Sequence, residues 1–499
     1  MHATRAARPG LYAAVLFALF AAPQLVEAQT PPGRLSLGEA ISLARENNPE
    51  YLTQRTQIRS AEWGVRAAYG SLLPTITSST GFGYTAPGER RFDSVVLDRQ
   101  PAQLSSQYRL GLSLSLDGQT LLGPSVAKAQ ELAAAETVEG AAANLEADVT
   151  QRYIAVLEAQ ATIVQAEREL TRTAEHVRLA EARLEVGAGT QLDVSRALVQ
   201  QGQAQVRLLQ AQSTAANNRL LLSQVVGVPL PDAVELTESF TLFDPPWSTD
   251  ELVQVAVGEN PTLRASRAQA DAAGTRARAA ASTYLPTVSF SAGLSGYVSQ
   301  ASTVSPAVTQ ELQRAANAFA NCQRQNELYA RVELPLSNCI DPATPGFEQS
   351  LRAEFESLNR GFPFEYIRQP ANVSMSISLP IFTGLQRQQQ IEEARIARLN
   401  AQYQVQSQEL QVRVDVEMAL RNLETAYQSA LLQQQIRETA EEELRLAQER
   451  FRFGATTSVE VVDAQASLAE AERAEIAALY EFQRSLAVLE ARLGEPLER

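Results

Sequence analysis

The sequence predicts an α+β membrane protein built from a duplicated unit. Each chain contributes four transmembrane β-strands to a β-barrel that other copies must complete, with a long α-helical coiled-coil tube below it. Three observations predict this: an N-terminal export signal, an internal repeat that holds register over about eighty residues, and four short runs in which apolar residues alternate with Ser, Thr and Gly.

Composition narrows the function. The chain has 499 residues, with 43 Lys and Arg against 57 Asp and Glu, a net charge of −14. That balance argues against nucleic acid as a partner, because phosphate binding needs clustered cations. Two His, two Cys, three Met and two Trp leave no stock for a His- or Cys-liganded metal centre. His2 falls in the targeting segment, so His176 is the remaining imidazole, and its place in mid-helix reads as packing or solvated. Aromatics at 6% are few for an enzyme core, and no catalytic constellation or cofactor motif stands out. Gly81-Phe82-Gly83-Tyr84-Thr85-Ala86 matches a loose dinucleotide pattern but lies inside a strand and opens no helix.

Arg5 and Arg8 precede an apolar run from Leu11 to Ala22, followed by Val26-Glu27-Ala28. This reads as a signal peptide over 1–28, cleaved after Ala28. No Cys follows the cleavage site, so a lipid anchor is not expected. No later segment has eighteen consecutive apolar residues, so membrane insertion would require β-strands.

Asn48-Pro49 recurs as Asn260-Pro261 and Leu73-Pro74-Thr75 as Leu285-Pro286-Thr287, both at an offset of 212. Further along the offset is 267. Arg183-Leu184-Glu185-Val186-Gly187-Ala188 matches Arg450-Phe451-Arg452-Phe453-Gly454-Ala455, and Gly227-Val228-Pro229 matches Gly494-Glu495-Pro496. The domains follow as a first repeat over 29–229, an equatorial linker over 230–247 and a second repeat over 248–499.

Each repeat has the same order. Asn48 caps a helix that starts at Pro49 and runs to about Gly70, with proline where its missing N–H costs nothing. Two strands follow, joined by a loop. A very long helix comes next, about 126–186 or 385–453, then a glycine turn and a return helix, about 191–226 or 458–493. Leu420, Leu423, Tyr427 and Leu431 show coiled-coil spacing. The long helix spans about 90 Å at 1.5 Å per residue, and the two shorter helices end to end match it. Their junction falls at Asn48-Pro49 and Gly227-Val228-Pro229, where the linker would form a belt.

In the strands, Tyr108, Leu110, Leu112, Leu114 and Leu116 alternate with Arg109, Gly111, Ser113 and Ser115. Val373, Met375, Ile377 and Leu379 alternate with Asn372, Ser374, Ser376 and Ser378. Runs beginning at Thr75 and Thr287 behave alike. Each has about the length of a tilted transmembrane strand, and the polar face suits a water-filled lumen. Tyr69, Tyr284 and Phe382 would mark the periplasmic rim, and Tyr84, Tyr108, Tyr297 and Tyr366 the outer one. Four strands cannot close a barrel, and open edges are not tolerated in lipid. Two copies would give a barrel filled by its side chains; three would give twelve strands and leave a passage.

With these features the sequence resembles the TolC-like family of outer-membrane efflux proteins (outer membrane factors), over nearly the whole mature chain. The carriers are the duplication, the paired Asn-Pro and Leu-Pro-Thr sites, and the run from Phe453-Gly454-Ala455-Thr456-Thr457-Ser458 to Val461-Val462-Asp463-Ala464. The resemblance implies a homotrimer whose chains together form a trimeric 12-stranded β-barrel in outer-membrane lipid, with a long periplasmic α-helical coiled-coil barrel. It implies partnership with a periplasmic adaptor (membrane fusion protein) and an inner-membrane transporter, the adaptor meeting the hairpin tips at Gly187, Gly189 and Gly454. The expected function is a passive channel-tunnel for tripartite efflux or type I secretion; the alternative is a periplasmic coiled-coil scaffold or adaptor without a pore. The sequence does not choose among drug, metal and protein substrates. Two departures stand out. The chain ends at Arg499 just after the last helix, so the family's C-terminal addition to the belt is expected to be short or absent. Thr456 stands where family members can carry a basic gate residue.

Asp193, Glu460 and Asp463 follow the hairpin turns. Three-fold symmetry would make each inward-facing carboxylate a ring of three, and acidic rings select cations. Thr190-Gln191-Leu192-Asp193 and Thr457-Ser458-Val459-Glu460 also fit the capping-box pattern, so Asp193 and Glu460 read either as caps or as lumenal charges. Asp463 has no capping role. Arg196 occupies the equivalent position in the first repeat and could pair with a carboxylate. Phe451 reads equally as a gate aromatic and as packing, and Thr456 completes the candidate constriction. Cys322 and Cys339, 17 residues apart in a long inter-strand loop at about 298–370, are expected to form a disulfide in an oxidising compartment, on the cell exterior.

Overall fold

The computed structural model describes residues 33–497 apart from Ala233 and Ser239. The signal-peptide reading over 1–28, with His2, lies outside the described residues, as does Arg499.

The first half runs β1 (Arg34–Leu35), α1 (Leu37–Asn47), α2 (Pro49–Gly70), β2 (Thr75–Thr85), β3 (Gly88–Phe92), β4 (Val95–Gln100), β5 (Gln103–Leu116), α3 (Gly118–Glu185) and α4 (Gln191–Val226). After β6 (Glu235–Leu236) come α5 (Thr249–Glu259), α6 (Pro261–Ala281), β7 (Thr287–Ala301), α7 (Ser305–Arg331), α8 (Phe347–Leu358), β8 (Ile367–Arg368), β9 (Asn372–Ser378), α9 (Gln386–Arg452) and α10 (Ser458–Leu493). The chain divides into two compact units, each drawn from both halves. A sheet-bearing unit takes Ile58–Ala135 and Ser266–Val405, and a helical unit takes the rest.

In the sheet-bearing unit β2, β5, β7 and β9 lie side by side, every neighbour antiparallel. Register sorts their side chains onto two faces. Ile76, Leu112, Ala292 and Val373 form one cross-strand row, and Leu114, Phe290 and Met375 another. On the opposite face Thr75, Ser113, Ser291 and Ser374 form a row in which hydroxyls bond across strands, Thr75 to Ser113 at 2.8 Å and Ser291 to Ser374 at 2.7 Å. The apolar face is uncovered: Ile76 is 71% exposed and Met375 67%. A mainly apolar sheet face, interrupted by Ser78 and Thr80, opposite a hydroxyl-rich one suits lipid outside and water inside. Among the described residues β2 pairs only with β5, and β9 only with β7, so both edges are open.

Several details differ from the sequence expectation. Tyr297 pairs with Gln107 and therefore lies on the polar face, not with the outer-rim aromatics. Tyr108 does lie on the apolar face, with its ring against Tyr366 at 4.9 Å. The first inter-strand loop contains the β3–β4 hairpin, and the second contains α7 and α8. Helix α3 starts at Gly118 rather than near 126, because the Asp117 carboxylate accepts from the Thr120 N–H at 2.7 Å and opens the helix before Pro124.

In the helical unit the return helices α4 and α10 occupy the expected ranges. The two Asn-Pro sites build copies of one joint. Asn48 Oδ1 accepts from the Tyr51 N–H at 3.0 Å while its Nδ2 donates to the Val225 carbonyl at 2.8 Å. Asn260 does the same with the Leu263 N–H and the Arg492 carbonyl, at 3.0 and 2.8 Å. Only a carboxamide both caps the starting helix and ties it to the end of the return helix; aspartate lacks the donor. Gly227 and Gly494 end α4 and α10 at φ of 83° and 90°. A Cβ on Gly227 would sit 2.5 Å from the Asn47 carbonyl oxygen, so glycine permits the close stack. Beside the first joint, Leu35, Val149, Tyr153, Leu222, Val226 and Leu236 form a core, and β1 pairs in parallel with β6. The Tyr153 hydroxyl donates to the Leu35 carbonyl at 2.8 Å. The 230–247 segment also packs on α10 through Phe243 against Phe482, with ring centroids 5.3 Å apart.

Candidate functional site

The candidate residues gather at the two hairpin turns, both in the helical unit. The turns share a backbone. Gly187 and Gly454 adopt φ of 73° and 72°. The Ala188 N–H returns to the Arg183 carbonyl and the Ala455 N–H to that of Arg450, each at 2.8 Å, closing the last turn of α3 and of α9. At Gly189 a Cβ would lie 3.2 Å from Arg183 Cβ, so that position is tight, while Gly187 and Gly454 face open space.

Side chains differ. Thr190 caps α4 and forms a full capping box with Asp193, whose carboxylate accepts from the Thr190 N–H at 3.0 Å. The other oxygen of Asp193 accepts from the Ser458 hydroxyl at the start of α10, so this carboxylate joins one hairpin to the other. The bond from Ser458, then that from Thr190, and the nearby charge of Arg196 hold the Asp193 carboxyl below the usual carboxylate range. Glu460 caps nothing: Thr457 makes no side-chain cap, and Glu460 instead accepts from Thr456 and pairs with Arg450 at 2.6 Å. The capping-box reading therefore holds at Asp193 and fails at Glu460. There the longer side chain reaches back to Arg450 and Thr456.

Phe451 is only 5% exposed and packs with Leu444, Val461 and Leu468, inside the protomer and away from its surface. Arg183 straps it. The guanidinium lies 4.3 Å from the ring centroid, donates to the Phe451 carbonyl at 2.5 Å, and also reaches the Ala188 carbonyl at 3.2 Å. His176, on α3, is buried with its ring 6.1 Å from that of Phe451. Burial pushes its pKa down, with the Asp193 charge partly offsetting it. Asp463 and Arg196 sit on exposed faces of α10 and α4. Sequence reasoning missed Arg183, Ser458 and His176 as a set. The available signal was a basic residue in the last turn of a helix, where it can meet free carbonyls. Beside the glycines, Val186 and Phe453 stand out at 77% and 87% exposure.

In the sheet-bearing unit Cys322 and Cys339 form a disulfide with Cα atoms 5.7 Å apart. Asn326 braces the same loop through two 2.8 Å bonds to the backbone of Ser337. Among the described residues no group of acidic, His and Cys side chains could hold a metal ion, and no helix is long and apolar enough to cross a membrane.

The model of the outer membrane efflux protein family matches residues 40–228 and 345–495, which include both hairpins and both turns. The chain belongs to the outer membrane efflux protein family. Members are transport channels rather than enzymes. Among curated relatives, the outer membrane efflux protein BepC of Brucella suis is 27% identical over 57% of this chain and 60% of its own length. The cobalt-zinc-cadmium resistance protein CzcC of Cupriavidus metallidurans is 23% identical over 48% of this chain and 53% of its own length. The chain thus spans little more than half of each. The fold is that of solved outer-membrane proteins: VceC from Vibrio cholerae superposes with a TM-score of 0.66 at 18% identity, covering 93% of this chain and 97% of that one.

Proposed function

We propose that this protein is the outer-membrane channel-tunnel of a tripartite efflux or type I secretion system. It assembles as a homotrimer and passively conducts solutes delivered by an inner-membrane transporter through a periplasmic adaptor. The observation that carries this reading is the four-stranded sheet, with one apolar face, one hydroxyl face and two open edges. Three copies supply twelve strands, close every edge and leave a water-filled lumen. The helices support the same assembly. Helix α4 exposes Leu192, Val199, Val206 and Leu220 at heptad spacing, and α9 exposes Leu432, Ile436 and Leu446, seams suited to neighbouring copies. The scaffold alternative gives no role to the apolar sheet face.

The repeats over 29–229 and 248–499, the equatorial linker over 230–247 and the cleaved signal peptide over 1–28 without a lipid anchor belong to the same reading. The turns at Gly187, Gly189 and Gly454, flanked by Val186 and Phe453, are the adaptor contact. The gate combines a link between hairpins, Asp193 to Ser458 and Arg183 to Phe451, with carboxylates open to the lumen, Asp463 foremost. Glu460 and Arg196 set the local charge, and Thr456 holds Glu460 through its hydroxyl.

Reconstitution into planar bilayers tests this: ion-conducting pores are expected, and their absence overturns the reading. Asp463→Ala lowers cation selectivity if Asp463 lines the constriction; unchanged selectivity removes it from the gate.

A further inference from the structure

Arg109 is the one charged residue in the four long strands β2, β5, β7 and β9. It lies midway along β5, in the register row of Ser79 and Ser295, and so on the hydroxyl face. It is exposed, and those strands hold no carboxylate to pair with it. Around it is a cavity of about 350 Å³ lined by Ser79, Gln107, Ser295, Tyr297 and Gln369, all able to donate hydrogen bonds. Tyr297, misplaced by sequence to the outer rim, belongs to this wall because its register partner is Gln107.

We propose that Arg109 is an anion-binding subsite inside the barrel, taking the carboxylate, phosphate or sulfonate group of a solute in transit. A guanidinium presents a fork of donors matched to an oxyanion, and the surrounding amides and hydroxyls complete its shell. A charge on a wall that is otherwise uncharged dominates the local field, and low-dielectric lipid behind the wall focuses it. The proposal rests on the channel reading, under which three-fold symmetry turns Arg109 into a ring of three. The barrel then opposes the hairpin end in sign: cation-favouring carboxylates at the tips and an anion-favouring ring in the membrane.

The test compares wild type, Arg109→Gln and Arg109→Lys in planar bilayers under a potassium chloride gradient, with pyrophosphate as the probe ligand. Arg109→Gln is expected to lower the chloride-to-potassium permeability ratio by roughly fivefold or more, since a single unit charge across about 4 Å of water gives about that factor and the substitution removes three. Arg109→Lys keeps the ratio but weakens block by pyrophosphate, because the fork is lost. A conducting wild type whose ratio and block are unchanged in Arg109→Gln overturns the subsite and leaves the channel intact. If the wild type does not conduct, the channel reading falls and the ring falls with it. A second measurement checks the face directly. Both native cysteines are tied in the disulfide, so Arg109→Cys introduces a single free thiol. In liposomes a water-soluble anionic thiosulfonate is expected to label Arg109→Cys and spare Leu110→Cys; the opposite pattern overturns the proposal.

Discussion

At the α3–α4 turn a threonine caps the return helix; at the α9–α10 turn, 267 residues later, a threonine stands in the same place and does not. The backbone of the two turns is the same, with glycine at φ of 73° and 72° and the same closing hydrogen bond. The wiring differs. Arg183 leaves its own hairpin to hold Phe451, whereas its counterpart Arg450 stays within its hairpin and pairs with Glu460. Asp193 reaches across to Ser458, whereas its counterpart Glu460 turns inward to Thr456. His176 is buried, and its counterpart Glu443 is exposed. Duplication kept the hairpin as a backbone device and let the side chains divide the labour: the first turn fastens the hairpins together, and the second keeps its charges on its own surface.

The shared backbone gives the largest expected effect. Gly187→Ala and Gly454→Ala each force an L-residue into the left-handed region and are expected to cost about 1–2 kcal/mol, read from the midpoint of helix melting. Neither new methyl meets an obstacle, so the two losses should agree. A loss at only one turn would show that the backbones are not equivalent. The caps separate the turns next. Thr190→Ala is expected to cost about 1 kcal/mol, and Thr457→Ala close to nothing. Equal losses would contradict the asymmetry.

The smallest effect is a pH dependence confined to the first hairpin. Because burial lowers the His176 pKa, the unfolded state takes up the proton first. Stability therefore falls as pH drops below the ordinary histidine value of about 6.5 toward the lower folded value. His176→Leu is expected to flatten the melting temperature across that window, and an unchanged slope would remove His176 as its cause.

Much of this arrangement was legible in the sequence. Asn-Pro marked both helix joints, because few residues can cap a helix and precede proline. Period-two runs found all four long strands, because a sheet with one face in lipid and one in water imposes strict alternation. Gly227 and Gly494 marked where both return helices end, and Thr190 where the first begins. Other features were less accessible. Nothing local reveals that Asp117 opens α3 ahead of Pro124, or that an inter-strand loop folds its own helices α7 and α8. The capping-box pattern at Thr457 and Glu460 was correct as a pattern but was outcompeted by Arg450, a contact across the turn. The Asp193–Ser458 link joins residues 265 apart, and no spacing rule reaches that far. Tyr297 was legible too: it shares the parity of Thr287, Ser289, Ser291 and Gly293, and unbroken register with β5 keeps it on their polar face.

All of these assignments of face and gate depend on how many chains close the sheet. The mass of the detergent-purified particle measures that directly. Three chains per particle are predicted, because β2 and β9 each need a partner strand from another copy and twelve strands leave a passage. A stable monomer would contradict the account, since four strands cannot form a closed barrel in a membrane.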